Sequence, residues 1–314
     1  MNKFLENLFL PPQASTHAKA VDDVFIFVTW VNIVFFLIVT FAAVYFSIKY
    51  KRRHANERTP HVTHNLKLEL FWSIVPLFIV MIIFFWGFQS YMVGRVAPND
   101  SFEVQATAKK WLWAFEYPDG TRSINELHVP FGRPVRVVLS SEDVLHAFFL
   151  KDFRVKSDVL PNRYTEVWFE ATKPGEYVLQ CTEYCGKDHS KMRGKVFVDS
   201  KADYERFIAD GPADWKTMPP AELGKMTYEQ AGCVSCHSID GTKGQGPSWK
   251  GIYGQTHQFV DGSSQVVDEN YIRQSIENPQ GKILKGFEGI MPTYQGLLRE
   301  KQINGVIAYI KSLK

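Results

Sequence analysis

The chain has 314 residues, with 36 Lys and Arg against 33 Asp and Glu, a formal net charge of +3. That length holds about two domains plus membrane anchors, and so mild a charge gives no electrostatic basis for binding nucleic acid. The cysteines number four and form two tight pairs, Cys181 with Cys185 and Cys233 with Cys236, which points to cofactor sites in place of long-range disulfide staples.

In chain order, residues 1–23 read as an N-terminal outward segment. The opening ten residues make a poor signal peptide, because their apolar stretch is short and broken by Glu6 and Asn7. An interfacial segment is the expectation there. Residues 24–96 read as a two-helix anchor, with uncharged apolar runs at about 24–48 and 70–93. Each exceeds the ~20 apolar residues that a helix needs to cross the hydrocarbon core. Between them stand Lys49, Lys51, Arg52, Arg53, Arg58 and Lys67, opposed only by Glu57 and Glu69. The positive-inside rule makes this short loop cytoplasmic, so both termini and everything after the second run face outward.

Residues 97–199 change to short segments rich in Val, Phe, Trp and Tyr. Pro118-Asp-Gly, Phe131-Gly-Arg-Pro and Lys173-Pro-Gly separate them, so a β-sandwich or barrel is predicted. One segment places Trp111, Trp113, Phe115 and Tyr117 at alternate positions, which predicts one aromatic strand face. Residues 200–221, with Gly211-Pro-Ala-Asp and Met218-Pro-Pro, read as a linker. Residues 222–314 are helical and Gly-punctuated, closing in an amphipathic run from Leu297 to Leu313.

Two motifs carry chemistry. Cys181, Cys185, His189 and Met192 form a soft donor set on one tight loop. Thiolate, imidazole and thioether together favour copper over zinc or a hard cation. A second imidazole is expected from His146, at a strand end. His128 competes, but its place among alternating strand residues suits a structural role. The second motif, Cys233-Val-Ser-Cys236-His237, is the C-x-x-C-H signature of covalent c-type haem attachment. Two thiols add to the haem vinyl groups, and His237 becomes an axial ligand. A carbonyl near Pro247 is placed to fix the His237 ring. Met291 is preferred as sixth ligand over His257, because a thioether raises the potential. Residues from about 223 to 314 resemble a small monohaem cytochrome c.

Residues of about 20–200 resemble subunit II of haem–copper cytochrome c oxidases: two helices, then a cupredoxin domain with a dinuclear copper-A site. The resemblance implies that Cys181 and Cys185 bridge two coppers, that His146 and His189 bind one each, that Met192 ligates weakly, and that Glu183 contributes its backbone carbonyl. It places the Glu183 side chain at a magnesium site shared with subunit I. Trp111 matches the residue that accepts electrons from soluble cytochrome c, and Leu112 stands where an aromatic is usual. Glu69, an acid at the membrane edge, matches the mouth of a proton-uptake channel.

The expectation is therefore a multi-domain membrane protein: two transmembrane helices, a cupredoxin domain and an all-α cytochrome c domain. It would serve as the electron-receiving subunit of a proton-pumping oxidase in a bacterial inner membrane. Its expected partners are subunit I, other integral subunits, and a cytochrome-type donor or upstream respiratory complex. A membrane-tethered copper delivery or storage protein is the rival, and it leaves the haem motif without a use. A soluble-reductase-like copper-A donor, such as one serving nitrous oxide reduction, leaves the membrane anchor without one.

Overall fold

A computed structural model describes residues 10–58, 63–210, 215 and 217–314. The opening nine residues and the Gly211-Pro-Ala-Asp part of the expected linker lie outside that range. The chain divides into two compact units, Met1–Val96 and Ala97–Lys314.

The first unit contains helices α1 (Ala18–Lys49) and α2 (Leu66–Arg95), longer at both ends than the apolar runs alone. At 1.5 Å per residue they extend about 45–48 Å, more than a hydrocarbon core requires. Apolar side chains are exposed around both, with Phe36 and Phe41 about as open as on an isolated helix. In water such surfaces would be costly, so the solvent these helices suit is lipid. Asn65 caps α2: its Oδ1 accepts the Leu68 N–H, and its own N–H donates to Glu69 Oε1 at 3.0 Å.

The second unit opens with two five-stranded sheets. One has the order β3-β2-β1-β5-β8 and the other β4-β10-β9-β6-β7. Their ranges are β1 Phe102–Lys109, β2 Leu112–Glu116, β3 Arg122–Ile124, β4 Glu126–Pro130, β5 Pro134–Ser141, β6 His146–Leu150, β7 Val155–Val159, β8 Thr165–Glu170, β9 Gly175–Cys181 and β10 Arg193–Asp199. Alternation places Val104, Ala106, Val135, Val137 and Leu139 inside from one sheet, and Leu127, Val129, Leu179 and Val196 inside from the other. Trp113 meets Phe148 edge-on across the sandwich, ring centroids 5.5 Å apart.

The Trp-rich segment is two strands. The chain turns at Lys110 and Trp111, and β1 and β2 pair antiparallel with Lys109 opposite Leu112. Trp111 thus lies in the turn, off the aromatic face that Trp113, Phe115 and Tyr117 form. The expected linker carries a helix, α3 (Lys201–Asp210). Its Phe207 stacks on His128, centroids 3.8 Å apart, with Phe197 on the other face of the imidazole. His128 Nδ1 lies 2.7 Å from Asp199 Oδ2. This is the structural role expected of His128.

The rest of the unit is helical: α4 (Pro220–Gln230), α5 (Glu269–Glu277) and α6 (Glu300–Ser312). It is not purely so. A hairpin of β11 (Thr256–Gln258) and β12 (Ser264–Val266) turns at Gly262, whose φ of +85° suits glycine, with Asp261 accepting from the Ser263 N–H. Helices α4 and α6 cross in contact at Gly224 and Gly305. A Cβ on Gly224 would stand 2.0 Å from the Gly305 carbonyl oxygen, so the crossing needs glycine.

Candidate functional site

The soft donor set assembles where β9 and β10 are joined. Cys181 ends β9, and Met192 directly precedes β10. Pairing of β6 with β9 sets Phe148 opposite Cys181, which brings His146, the first residue of β6, alongside. The loop closes through Cys181 N–H to Met192 O at 3.2 Å, and it turns at Gly186, where φ is +118°. Cys181 and Cys185 sulfurs stand 3.9 Å apart as free thiols. His146 Nδ1 is 3.9 Å from Cys181 Sγ, His189 Nδ1 3.5 Å from Cys185 Sγ, and Met192 Sδ 3.8 Å from Cys185 Sγ. The Glu183 carbonyl oxygen is 3.3 Å from Cys181 Sγ. All six expected ligand groups therefore converge, and His146, Cys181, Cys185 and Met192 are buried.

The electrostatics suit a cationic guest. Burial would raise the Cys181 thiol, but the His146 ring and nearby backbone groups outweigh it and bring the pKa down to about 6. Burial, and then the Cys181 charge, push Cys185 up to about 12. The loop thus gives up one proton readily and resists losing a second. Metal binding would remove that resistance, since it displaces protons from thiols generally.

One contributor had no assigned role in the sequence reading. Asp143 Oδ1 accepts from His146 Nε2 at 2.8 Å, while its Oδ2 accepts the Lys110 N–H at 2.8 Å. This fixes the imidazole with Nδ1 toward the sulfurs, the carboxylate–histidine arrangement common behind metal ligands. Its signal was an acid three residues before a candidate ligand. Trp111 packs beside the loop: a Cβ on Gly186 would stand 3.3 Å from its ring. Glu69, in the first turn of α2 where it accepts the Asn65 N–H, belongs to the other unit.

The second centre is an apolar cavity enclosing about 1230 Å³ of empty space, its open mouth included. Cys233, Cys236, His237, Trp249, Met291 and Tyr294 are among its lining. His237 Nδ1 donates to the Pro247 carbonyl at 2.8 Å, as expected, and Tyr228 Oη donates to the His237 carbonyl at 2.5 Å. Nε2 keeps its lone pair, and burial lowers the pKa of the ring and keeps it neutral, the state that binds iron. Gly246 is required here, because a Cβ would come within 2.5 Å of the imidazole. Met291 and His257 both line the cavity; His257 Nδ1 is 3.3 Å from Tyr271 Oη. A large apolar cavity with two thiols and a neutral, oriented imidazole fits a haem.

A cupredoxin-type sandwich with a soft-ligand loop, followed by a haem-sized cavity in a helical domain and preceded by two membrane-length helices, defines a class: a membrane protein with tandem copper and cytochrome domains. Comparison with known proteins agrees. Family profiles match as the transmembrane domain of cytochrome c oxidase subunit II over residues 4–90, its periplasmic domain over 122–199, and cytochrome c over 221–314. Cytochrome c oxidase subunit 2 of Thermostichus vulcanus is 30% identical over 250 residues, 62% of this chain and 76% of that protein. Its counterpart in Alkalihalophilus pseudofirmus is 27% identical over 285 residues, 87% of this chain and 81% of that one. The crystal structure of the periplasmic domain of subunit II from Bradyrhizobium japonicum is 33% identical over 36% of this chain and 94% of its own, with a TM-score of 0.35.

The chain belongs to the cytochrome c oxidase subunit 2 family, in a form with a C-terminal cytochrome c domain. It is a component of a cytochrome c oxidase complex, a membrane protein with its sandwich domain outside, and its two domain types imply copper A and haem c.

Proposed function

We propose that this chain receives electrons for a proton-pumping terminal oxidase of a bacterial inner membrane. In this reading it relays them from a covalently held c-type haem to a dinuclear copper-A centre and on to subunit I, where oxygen is reduced to water. The observation that carries the reading is the pair of unbonded sulfurs at 3.9 Å with an imidazole beside each. When bound, the two groups would supply one-electron chemistry with little rearrangement.

The chain's own residues hold and orient. Cys181 and Cys185 would bridge the metals, with His146 and His189 as terminal ligands and Met192 and the Glu183 carbonyl as weaker ones. Asp143 keeps His146 turned inward. Sandwich strands on both sides make the donor positions rigid, which favours fast transfer by limiting reorganisation. Cys233 and Cys236 would bond the haem, and His237, oriented by the Pro247 carbonyl, and Met291 would be its iron ligands. We assign Trp111, packed beside the copper loop, to electron transfer, Glu69 to proton uptake, and the Glu183 side chain to magnesium at the boundary with subunit I. Residues 97–199 would then be the copper domain and 222–314 the cytochrome domain, both on the outer side with the two termini. The electron source would be a cytochrome-type donor or an upstream respiratory complex.

Electron paramagnetic resonance of the purified full chain tests this. The expected signal is a hyperfine pattern from two equivalent coppers sharing one unpaired electron, together with a c-type α-band in the visible spectrum. A mononuclear copper signal, or copper removed by a mild chelator without loss of fold, would overturn the reading in favour of copper delivery.

A further inference from the structure

Strand β2 breaks the rule that one face of a sandwich strand meets solvent. Leu112 and Trp113 point to opposite faces, yet both are buried, at 3% and 0% exposure. Trp113 fills the sandwich core. Leu112 and Ile124, with Ala114 beside them, join one continuous apolar cluster with Tyr228, Ala231, Trp249 and Tyr294 of the C-terminal domain. The outer face of β2 and β3 is therefore covered by the cytochrome domain.

Polar contacts fix that placement. Asn125, held at φ +57°, exchanges hydrogen bonds with Trp113: its N–H donates to the Trp113 carbonyl at 2.7 Å, and its Oδ1 accepts the Trp113 N–H at 2.8 Å. The remaining side-chain group, Nδ2, donates to the carbonyl of Gln230, the last residue of α4. Three residues later comes Cys233. On the other side, the Trp113 indole meets the His146 imidazole, centroids 6.3 Å apart. One short chain of contacts thus connects the helix that leads into the haem motif with a copper ligand. Further along the same face, Arg299 donates to the Phe207 carbonyl at 3.2 Å, and Lys301 donates to that of Trp215. Lys187, Asp188 and Lys191 of the copper loop lie within electrostatic reach of the Cys236 thiol.

We propose that the cytochrome domain is a fixed occupant of the outer face of β2 and β3, that Leu112 and Asn125 specify this seat, and that the seat closes this face to any external cytochrome. Leu112 is an aliphatic knob that packs into the cytochrome domain's own core. Asn125 supplies register: its side-chain amide satisfies a strand N–H of β2 and a helix C-terminal carbonyl at once, and each needs one partner when buried. Electrons from outside must then enter through the cytochrome domain's remaining surface.

The test uses the full chain in detergent and two variants. Leu112→Lys removes the knob. Asn125→Asp keeps the acceptor for the Trp113 N–H but replaces the donor to Gln230 with a second acceptor. Hydroxyl-radical labelling of the Ile124 side chain is the first readout, with sandwich-core Val137 as the fold control and exposed Val260 as the open reference. In the unmodified chain Ile124 is expected to label as slowly as Val137. In either variant it should rise about tenfold, the scale of losing one buried contact, while Val137 stays protected and Leu112→Ile behaves as the parent. Labelling of Ile124 at the rate of Val260 in the unmodified chain, or no rise in either variant, would overturn the seat. The second readout rests on the proposed relay: haem-to-copper transfer should slow about tenfold in both variants, and an added reduced cytochrome should gain direct access to copper. The labelling needs neither group, so failure of the relay and failure of the seat are separately visible.

Discussion

Replacing Gly224 by Ala puts a methyl group into the close backbone contact between α4 and α6. Its carbon would stand 2.0 Å from the Gly305 carbonyl oxygen, 2.4 Å from the Gly305 carbonyl carbon and 2.7 Å from Tyr309 Cβ. Neither backbone atom can swing aside, so α4 and α6 would have to part by roughly 1.4 Å to regain ordinary contact. Parting them loosens Leu223, Ile303, Val306 and Ile310, all buried around the crossing. Overpacking at a site that cannot yield costs about 3 kcal/mol. Ala recovers about 1 kcal/mol of helix propensity, leaving about 2 kcal/mol of net destabilisation. The reciprocal change, Gly305→Ala, meets Gly224 N and the Pro220 carbonyl only at 3.0 Å, and its smaller strain is nearly offset by the same propensity gain. Hydrogen exchange of amides in α4 and α6 reads the opening of this domain alone. Gly224→Ala should accelerate it by about 30-fold, which is 2 kcal/mol expressed as a rate ratio, and Gly305→Ala by no more than a few-fold. Parental exchange in Gly224→Ala, or a larger effect in Gly305→Ala, would refute the argument.

The copper loop should titrate in two widely separated steps when metal-free. Cys181, brought down to about 6 from an ordinary 9.0, contributes stability that is fully present above pH 9 and is lost as pH falls through 6. Cys185, raised to about 12, has the opposite sign: its contribution is fully present below pH 9 and is lost as pH rises toward 12. Ultraviolet thiolate absorbance, with Cys181→Ser as reference, should show one thiolate forming near pH 6; both forming together near pH 9 would contradict the hydrogen-bonding account. At the haem cavity, Met291→Leu should remove the sulfur–iron charge-transfer band and lower the haem potential, while His257→Leu leaves both unchanged. The reverse pattern in the same two spectra and titrations would make His257 the ligand.

Much of the site was legible because its chemistry is local in the chain. Cys181 to Met192 spans one loop, Cys233 to His237 one turn, and donor types four or fewer residues apart are forced into proximity by almost any backbone path. His146 was readable because an imidazole at a strand end is an economical partner for a loop ligand, and Pro247 because a Gly-x-Gly-Pro turn brings a carbonyl back over the preceding segment. The two membrane helices were legible for a different reason: long uncharged runs have few alternatives to a bilayer.

What the residues could not reveal depends on contacts between distant segments. Asp143 precedes His146 by three positions, but only the pairing of β6 with its neighbours decides that its carboxylate meets the outer ring nitrogen. Alternation suggested a single aromatic strand from Trp111 to Tyr117, whereas the chain turns at Lys110 and Trp111 because β1 needs an antiparallel partner for its backbone groups. Helix α3 lay in a stretch read as a linker because its apolar face is short, and its Phe207 is placed only by stacking on His128. Leu112 and Asn125 carry no motif. Local sequence therefore determined which groups can bind copper and haem, since ligand type and spacing are properties of the chain. Only the tertiary fold decided that the cytochrome domain rests against β2 and β3, since burial on both faces of a strand requires a second domain to exclude water from one of them.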